Sequence, residues 1–311
     1  MHPPHHRDRA ARRRFLRALG GLVAAAGLPP PASASRGAIL RPIPASGEHI
    51  PVVGLGSWIT LDVGDDHRRR ASRLAVVQSF LDQGGGMIDS SPMYGTAEEV
   101  IGWSLARIGN KAGLFSATKV WTVGRDEGQR QIENSRRLWG VPRLDLIHVH
   151  NLLDWPVQLE TLKAMKAEGR VRYLGVTTSH GRRHAELERV MLREPLDFVQ
   201  FTYNLIDREA ESRLLPLARE RGIAVVVNRP FRGGSLFHPV WNRPLPAWAG
   251  EIGCTNWAQY FLKFVISHPA VTCAIPATSR VDHLLENMGA LHGPLPDAAL
   301  RQRMAAQFER L

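Results

Sequence analysis

From residue 52 onward, short apolar runs alternate with longer amphipathic segments at a nearly constant spacing. No other feature of the chain limits its fold as much. The runs end near residues 56, 89, 119, 150, 177, 200, 227 and 275, at intervals of 33, 30, 31, 27, 23, 27 and 48. A strand followed by a crossover helix takes about 30 residues. Runs such as 114–119, 144–150, 173–177 and 224–227 are short and mostly apolar, as buried strands are. The segments between them, for example 73–83, 97–108, 130–139 and 209–221, carry helical periodicity. Gly84, Gly109, Gly140, Gly169 and Gly222 stand where helices stop. Strands that alternate with helices in this way pair in parallel.

Eight such units favour closure into a (β/α)8 TIM barrel over an open doubly wound sheet. No Gly-x-Gly-x-x-Gly follows the first strand. Gly54-Leu55-Gly56 begins like that motif, but Ile59 occupies its third position. Two extended pieces, 39–43 and 50–55, flank the turn-like Ala45-Ser46-Gly47-Glu48 and predict an N-terminal β-hairpin. The 48-residue interval holds a Pro- and Trp-rich insertion, 231–250, which reads as a long loop over one mouth before the last helix–strand unit. Residues 35–311 are thus expected to form the barrel domain.

Residues 1–34 read as a twin-arginine signal peptide. Six arginines and the single acid Asp8 give this segment +5, so +6 of the net +11 falls on the remainder. Ala11-Arg12-Arg13-Arg14-Phe15-Leu16-Arg17 supplies an arginine pair, a spacer, two apolar residues and a basic residue. A weakly apolar run, 18–28, follows, then prolines at 29–31 and Ala32-Ser33-Ala34, a small-x-small cleavage site. The apolar run is too short for a stable membrane anchor, which takes about 20 residues. The expectation is export to the periplasm by the twin-arginine machinery, with cleavage near Ala34. Elsewhere the basic residues are scattered without interleaved aromatics, which argues against nucleic acid as a partner. Arg68-Arg69-Arg70 reads as a solvated helix face. Cys254 and Cys273 make no metal spacing and read as two buried free thiols.

In a barrel of this kind the active site lies at the C-terminal strand ends, so polar residues there are informative. The second strand ends at Asp89 with Tyr94 in the loop beyond, the third at Lys119 and the fourth at His150. Their chemistry fits together. A carbonyl that accepts hydride develops negative charge on oxygen and needs a proton. A tyrosine can give one, although its ordinary pKa of about 10 makes it sluggish near neutrality. A neighbouring ammonium favours the phenolate, a carboxylate keeps that ammonium charged, and an imidazole can orient the carbonyl oxygen. Lys119 is the residue hardest to explain otherwise, since an apolar strand rarely tolerates a lone lysine.

These residues sit in segments that resemble the aldo-keto reductase family. Asp89-Ser90-Ser91-Pro92-Met93-Tyr94-Gly95 is similar to its Asp-x-x-x-x-Tyr-Gly motif. Ser116-Ala117-Thr118-Lys119-Val120-Trp121 and Leu144-Asp145-Leu146-Ile147-His148-Val149-His150 resemble its lysine and histidine strands. Leu174-Gly175-Val176-Thr177-Thr178, Phe198-Val199-Gln200, Tyr203-Asn204, Ile275-Pro276-Ala277-Thr278-Ser279 and Glu286-Asn287 extend the likeness over about residues 38–292. The resemblance implies an oxidoreductase that moves hydride between a nicotinamide cofactor and an aldehyde or ketone, with Tyr94 as general acid/base and Asp89, Lys119 and His150 around it.

It also implies a cofactor bound without a Rossmann motif. Asp89 and Gln200 would line the nicotinamide, and Thr177 or Thr178 its carboxamide. Phe231, Arg232 and Gly233 would touch the pyrophosphate, and Thr278, Arg280, Glu286 and Asn287 would lie near the adenosine. Ser57 and Trp58 would sit where the first strand meets cofactor or substrate. Three departures bear on this. Thr178 stands where asparagine is common, Asn228 where many members stack an aromatic ring, and Ala277 and His283 where basic residues often meet a 2′-phosphate. Arg280 could serve that phosphate instead, which favours NADP(H) over NAD(H). Two other readings use the same fold. His148 and His150 form a His-x-His pair as in metal-dependent hydrolases, but the other strand ends offer no further His or Cys to complete a metal site. The barrel could also act as a cofactor-sensing subunit with little turnover.

Overall fold

The chain enters its fold through a small antiparallel hairpin. β1 (Leu40–Pro42) pairs with β2 (His49–Pro51), Leu40 opposite Pro51, across a turn in which Gly47 takes a φ of 75°. The structure, a computed structural model, describes residues 37–311, which form one unit. The export signal read in residues 1–34 lies outside the described residues.

Eight parallel strands follow: β3 (Leu55–Gly56), β4 (Met87–Asp89), β5 (Phe115–Val120), β6 (Leu144–Val149), β7 (Val171–Thr177), β8 (Phe198–Thr202), β9 (Ala224–Asn228) and β10 (Val271–Ala274). Each pairs with the next in chain order. Main-chain bonds join the first strand to the last. Gly54 N–H donates to Ala274 O (2.8 Å), Ala274 N–H to Val52 O (2.9 Å) and Gly56 N–H to Pro276 O (2.9 Å). The sheet is thereby closed into the expected barrel, with no free edge between β3 and β10. Glycine is required at this seam: a Cβ on Gly56 would lie 2.8 Å from Ile275 O.

The period of two along each strand divides the core. Inward-facing Met87, Phe115, Leu146, Tyr173, Phe198 and Val226 pack with Ile43 and Ile50 of the hairpin, which closes the N-terminal end of the barrel. The intervening Ile88, Ile147, Val176, Val199 and Val225 belong to the larger core beneath the helices. The hairpin is also tied by polar bonds: Tyr173 donates its hydroxyl to Glu48 (2.7 Å), and Arg172 pairs with Glu48.

Eight helices link or follow the strands: α1 (His67–Asp82), α2 (Ala97–Leu105), α3 (Arg125–Trp139), α4 (Trp155–Ala167), α5 (His184–Arg193), α6 (Leu214–Arg221), α7 (Trp257–Ile266) and α8 (Val281–Met288). Several differ from the sequence reading for identifiable reasons. α1 starts at His67 because the Asp66 side chain accepts from Arg69 N–H at 2.9 Å and caps it. Arg70, read as part of a solvated face, is 7% exposed and binds Asp65 (2.7 Å) and Glu99 (2.6 Å). Segment 209–221 breaks into a short 3-10 turn, Glu209–Glu211, and α6. The insertion 231–250 is not an open loop but holds two 3-10 stretches, Arg232–Val240 and Ala247–Ile252, that bury Leu236, Val240, Ala249 and Ile252. A ninth helix, α9 (Ala298–Phe308), lies beyond the repeat and so was not demanded by it; Asp297 caps it, accepting from Leu300 N–H at 2.8 Å. Cys254 and Cys273 are both free and buried.

Candidate active site

The C-terminal strand ends open into a cavity of ≈ 700 Å³. Asp89 is the last residue of β4. Lys119 lies near the end of β5, beside His148 of β6 in the parallel register. Lys119 Nζ donates to Asp89 Oδ2 and to Ser90 O, both at 2.6 Å, with neither charged side chain more than 3% exposed. The other carboxylate oxygen, Oδ1, accepts from Gln200 Nε2 at 3.0 Å. Ser57 donates to the main-chain oxygen of Asp89 at 2.9 Å. Tyr94 follows in a tight turn, its N–H donating to Ser91 O at 3.0 Å. Its ring centroid is 5.2 Å from Lys119 Nζ and 5.8 Å from that of His150, whose ring stands edge-on at 86°. The phenol, ammonium, carboxylate and imidazole therefore surround one site.

Burial decides the charge states. It raises the Tyr94 pKa by more than the nearby Lys119 lowers it, with Asp89 adding to the rise. The expectation that Lys119 would bring the phenol down is thus met in direction but outweighed, and Tyr94 rests as a neutral acid. Burial pushes Lys119 down, yet Asp89 and Tyr94 more than reverse this, so its pKa ends above the ordinary lysine value. Burial, and then the Lys119 charge, bring His150 down to about 3, so its imidazole is neutral. His148 is held well below 6.5 first by burial and then by Lys119. Both of its ring nitrogens are buried without a hydrogen-bond partner.

The residues expected around the cofactor divide into two sets. Ser57, Trp58, Asp89, Thr177, Gln200, Asn228, Phe231, Gly233, Thr278, Glu286 and Asn287 line the cavity. Thr178, Arg232 and Arg280 do not line it. Thr178 is 2% exposed and offers its carbonyl to Asn228 Nδ2 at 2.9 Å. Arg232 turns to Asp207 (3.3 Å), and Arg280 pairs with Asp282. Asn228, found where a ring was the familiar choice, is instead a hydrogen-bonded link. Its Oδ1 accepts from Thr202 Oγ1 at 2.6 Å, and its Nδ2 reaches Gln200 Oε1 at 3.4 Å.

Other residues of the cavity wall were not among the site residues expected from the sequence. Arg229, one residue past β9, lines the cavity at a φ of 51°. Its guanidinium has no ion-pair partner within 4.0 Å among the described residues, while the Cα position of Gly233 presents its missing Cβ 3.5 Å from Arg229 Nη2. The strand-end rule that selected Asp89 and Lys119 would have found it. Met93, His180, Phe237, Trp241 and Trp257 also line the cavity. Glu98, the second residue of α2, is 3% exposed and accepts from Thr118 Oγ1 (2.5 Å), Ser135 Oγ (2.9 Å) and Trp139 Nε1 (3.2 Å). It ties the strand that carries Lys119 to two helices.

The sequence matches the Aldo/keto reductase family over residues 52–304. This chain belongs to that family. The methylglyoxal reductase YeaE of Escherichia coli K12 is 30% identical over 262 residues, 81% of this chain and 89% of that protein. An aldo/keto reductase from Klebsiella pneumoniae, solved with NADP and acetate, is 25% identical with a TM-score of 0.69, covering 85% of this chain and 92% of that one. The fold alone is shared with AKR11C1 of Bacillus halodurans in its holo form, at 20% identity and a TM-score of 0.71, over 87% of this chain and 96% of that one. As an aldo/keto reductase the chain is an NAD(P)H-dependent oxidoreductase with the (β/α)8 fold of these neighbours.

The neutral histidines of this aldo/keto reductase contribute to its response to acid. His150 has a folded pKa of about 3 and His268 of about 4, in both cases chiefly through burial, against about 6.5 in the unfolded chain. A depressed pKa means that the unfolded state binds more protons in this window. The stability these groups contribute is complete above about pH 6.5 and is lost as the pH falls toward 4 and 3. The urea midpoint is therefore expected to drop between pH 7 and pH 4.5. A midpoint constant over that range would refute the neutral buried imidazoles.

Proposed function

We propose that this aldo/keto reductase reduces an aldehyde or ketone of a small organic substrate to the alcohol, or runs the reverse reaction, with Tyr94 as general acid/base and NADP(H) preferred to NAD(H). The observation that carries the reading is the convergence of Tyr94, Lys119, Asp89 and His150 on one cavity. The bound nicotinamide would supply or accept the hydride. Tyr94 gives its phenolic proton to the carbonyl oxygen as negative charge develops there. The phenolate left behind faces the Lys119 ammonium, which the Asp89 carboxylate holds in place. Neutral His150 donates a hydrogen bond to the same oxygen. In the reverse direction the phenolate takes the alcohol proton.

The residues present fit a dinucleotide. The cavity runs from Tyr94 past Gln200 and Asn228 to the segment after β9, and on to Thr278, Glu286 and Asn287. There Gly233 and Gly234 adopt φ values of 68° and 95°, and the cation Arg229 stands beside them. Positive-φ glycines beside an unpaired guanidinium suit a diphosphate. Arg229 thus takes the part expected of Arg232, which Asp207 occupies. The preference for NADP(H) draws on the Klebsiella pneumoniae relative solved with NADP. Arg280 would have to leave Asp282 to serve a 2′-phosphate.

Export through the twin-arginine route is the second part of the proposal, supported by the sequence of residues 12–17 and the small-residue site ending at Ala34. That route carries proteins already folded and loaded, which suits an enzyme whose cofactor must travel with it.

Three outcomes test this. Tyr94→Phe should cut carbonyl reduction by about 10²-fold or more while NADPH affinity, followed by fluorescence titration, stays within about twofold; a variant with normal turnover removes Tyr94 from the chemistry. Arg229→Ala should weaken NADPH binding by about tenfold or more in the same titration, in line with loss of a charged hydrogen bond; unchanged affinity would leave Arg229 outside the cofactor site. In cell fractionation the full chain should reach the periplasm in a shortened form, and an Arg12→Lys, Arg13→Lys double variant should stay uncleaved in the cytoplasm. Uncleaved full-length protein in the cytoplasm without the substitutions would overturn export.

A further inference from the structure

We propose that Ser91 is a positioning residue that sets the tautomer of His150, so that its Nε2–H points at the substrate carbonyl. The inference rests on the reading of His150 as the partner of that oxygen. Ser91 Oγ lies 2.8 Å from His150 Nδ1. Ser91 is 0% and His150 5% exposed, so bulk water does not compete for the pair. The same Oγ accepts from Met93 N–H at 3.3 Å.

A hydroxyl has one proton to give, and its lone pairs can accept. One lone pair is engaged by Met93 N–H, and a proton on His150 Nδ1 could occupy the other, but the buried Ser91 proton would then have no acceptor. Among the described residues the acceptor within hydrogen-bond distance of the Ser91 hydroxyl is His150 Nδ1. Ser91 therefore donates, and Nδ1 uses its lone pair. His150 is neutral and carries one N–H. That proton must sit on Nε2. Unlike both nitrogens of His148, Nε2 of His150 is not a sealed, unpartnered atom, and the residue lines the cavity beside Tyr94.

The alternative tautomer would turn a lone pair toward the carbonyl oxygen, where it repels the charge that builds up during reduction. Fixing the proton on Nε2 keeps every molecule in the competent form. The geometry also couples two functions in one turn. Ser91 O accepts from Tyr94 N–H at 3.0 Å, so the residue whose hydroxyl orients the imidazole also fixes the start of the segment that bears the phenol.

The test combines nitrogen-15 NMR of the histidine rings with kinetics on Ser91→Ala and Ser91→Thr. In the unsubstituted protein the His150 signals should show Nε2 protonated and Nδ1 as a hydrogen-bonded, unprotonated nitrogen. Ser91→Ala should shift the Nδ1 resonance or mix the tautomers and lower kcat by about tenfold, as loss of one hydrogen bond allows, with NADPH affinity unchanged. Ser91→Thr, which keeps the hydroxyl, should restore both. A proton on Nδ1 in the unsubstituted protein overturns the proposal, even if Ser91→Ala does not fold. So does a Ser91→Ala protein with unaltered ring signals and kcat. An absence of carbonyl reduction by the unsubstituted protein would refute the enzymatic reading alone, since the tautomer is read without turnover.

Discussion

The buried pair of Lys119 and Asp89 is the interaction on which the upper half of the barrel depends. Removing both charges from water costs several kcal/mol per ion, and an unpaired member would destabilise the fold by about 3–5 kcal/mol. The barrel meets that cost with saturated hydrogen bonding. Lys119 Nζ has both a carboxylate and a carbonyl oxygen at 2.6 Å, and the second oxygen of Asp89 is satisfied by Gln200. Because the pair spans two neighbouring strands, it also fixes where β4 and β5 end relative to each other, and with them the turn that carries Tyr94.

Burial sets the charge states of the surrounding groups, and this pair adds to or opposes it. A positive charge fixed inside the barrel makes a second one unfavourable nearby, so His148 and His150 stay neutral, burial being the larger cause for each. The phenol stays protonated because its burial outweighs the pull of the Lys119 charge toward phenolate. The site at rest thus holds one cation, one anion and neutral donors. A polar chain extends from it across the floor of the cavity, from Asp89 through Gln200 and Asn228 to Thr202. His148 is the exception to this economy, since it is fully buried and its nitrogens are unmatched.

Much of this was legible in the sequence because the repeat imposes it. A strand every thirty residues leaves few topologies open, and polar residues at the ends of apolar runs mark the one face where they can converge. The four residues at the reactive end were found that way. What escaped depends on local contacts that a repeat does not encode. The burial of Arg70 depends on Asp65 and Glu99 being placed to receive it. The start of α1 depends on an aspartate cap. Thr178, Arg232 and Arg280 were implied by the family resemblance, but the partners they chose, Asn228, Asp207 and Asp282, draw them away from the cavity lining. Residues 231–250 looked open because prolines interrupt them, yet Leu236, Val240 and Ala249 still had to be buried.

The hairpin at the opposite end has a consequence for traffic through the molecule. With Ile43 and Ile50 packed into the lower layer of the barrel, the interior is stoppered beneath the site. A flask of this shape has a single neck. Whatever enters the cavity must come and go through the C-terminal face, because the packed side chains below it, capped by the two-stranded hairpin, leave no passage.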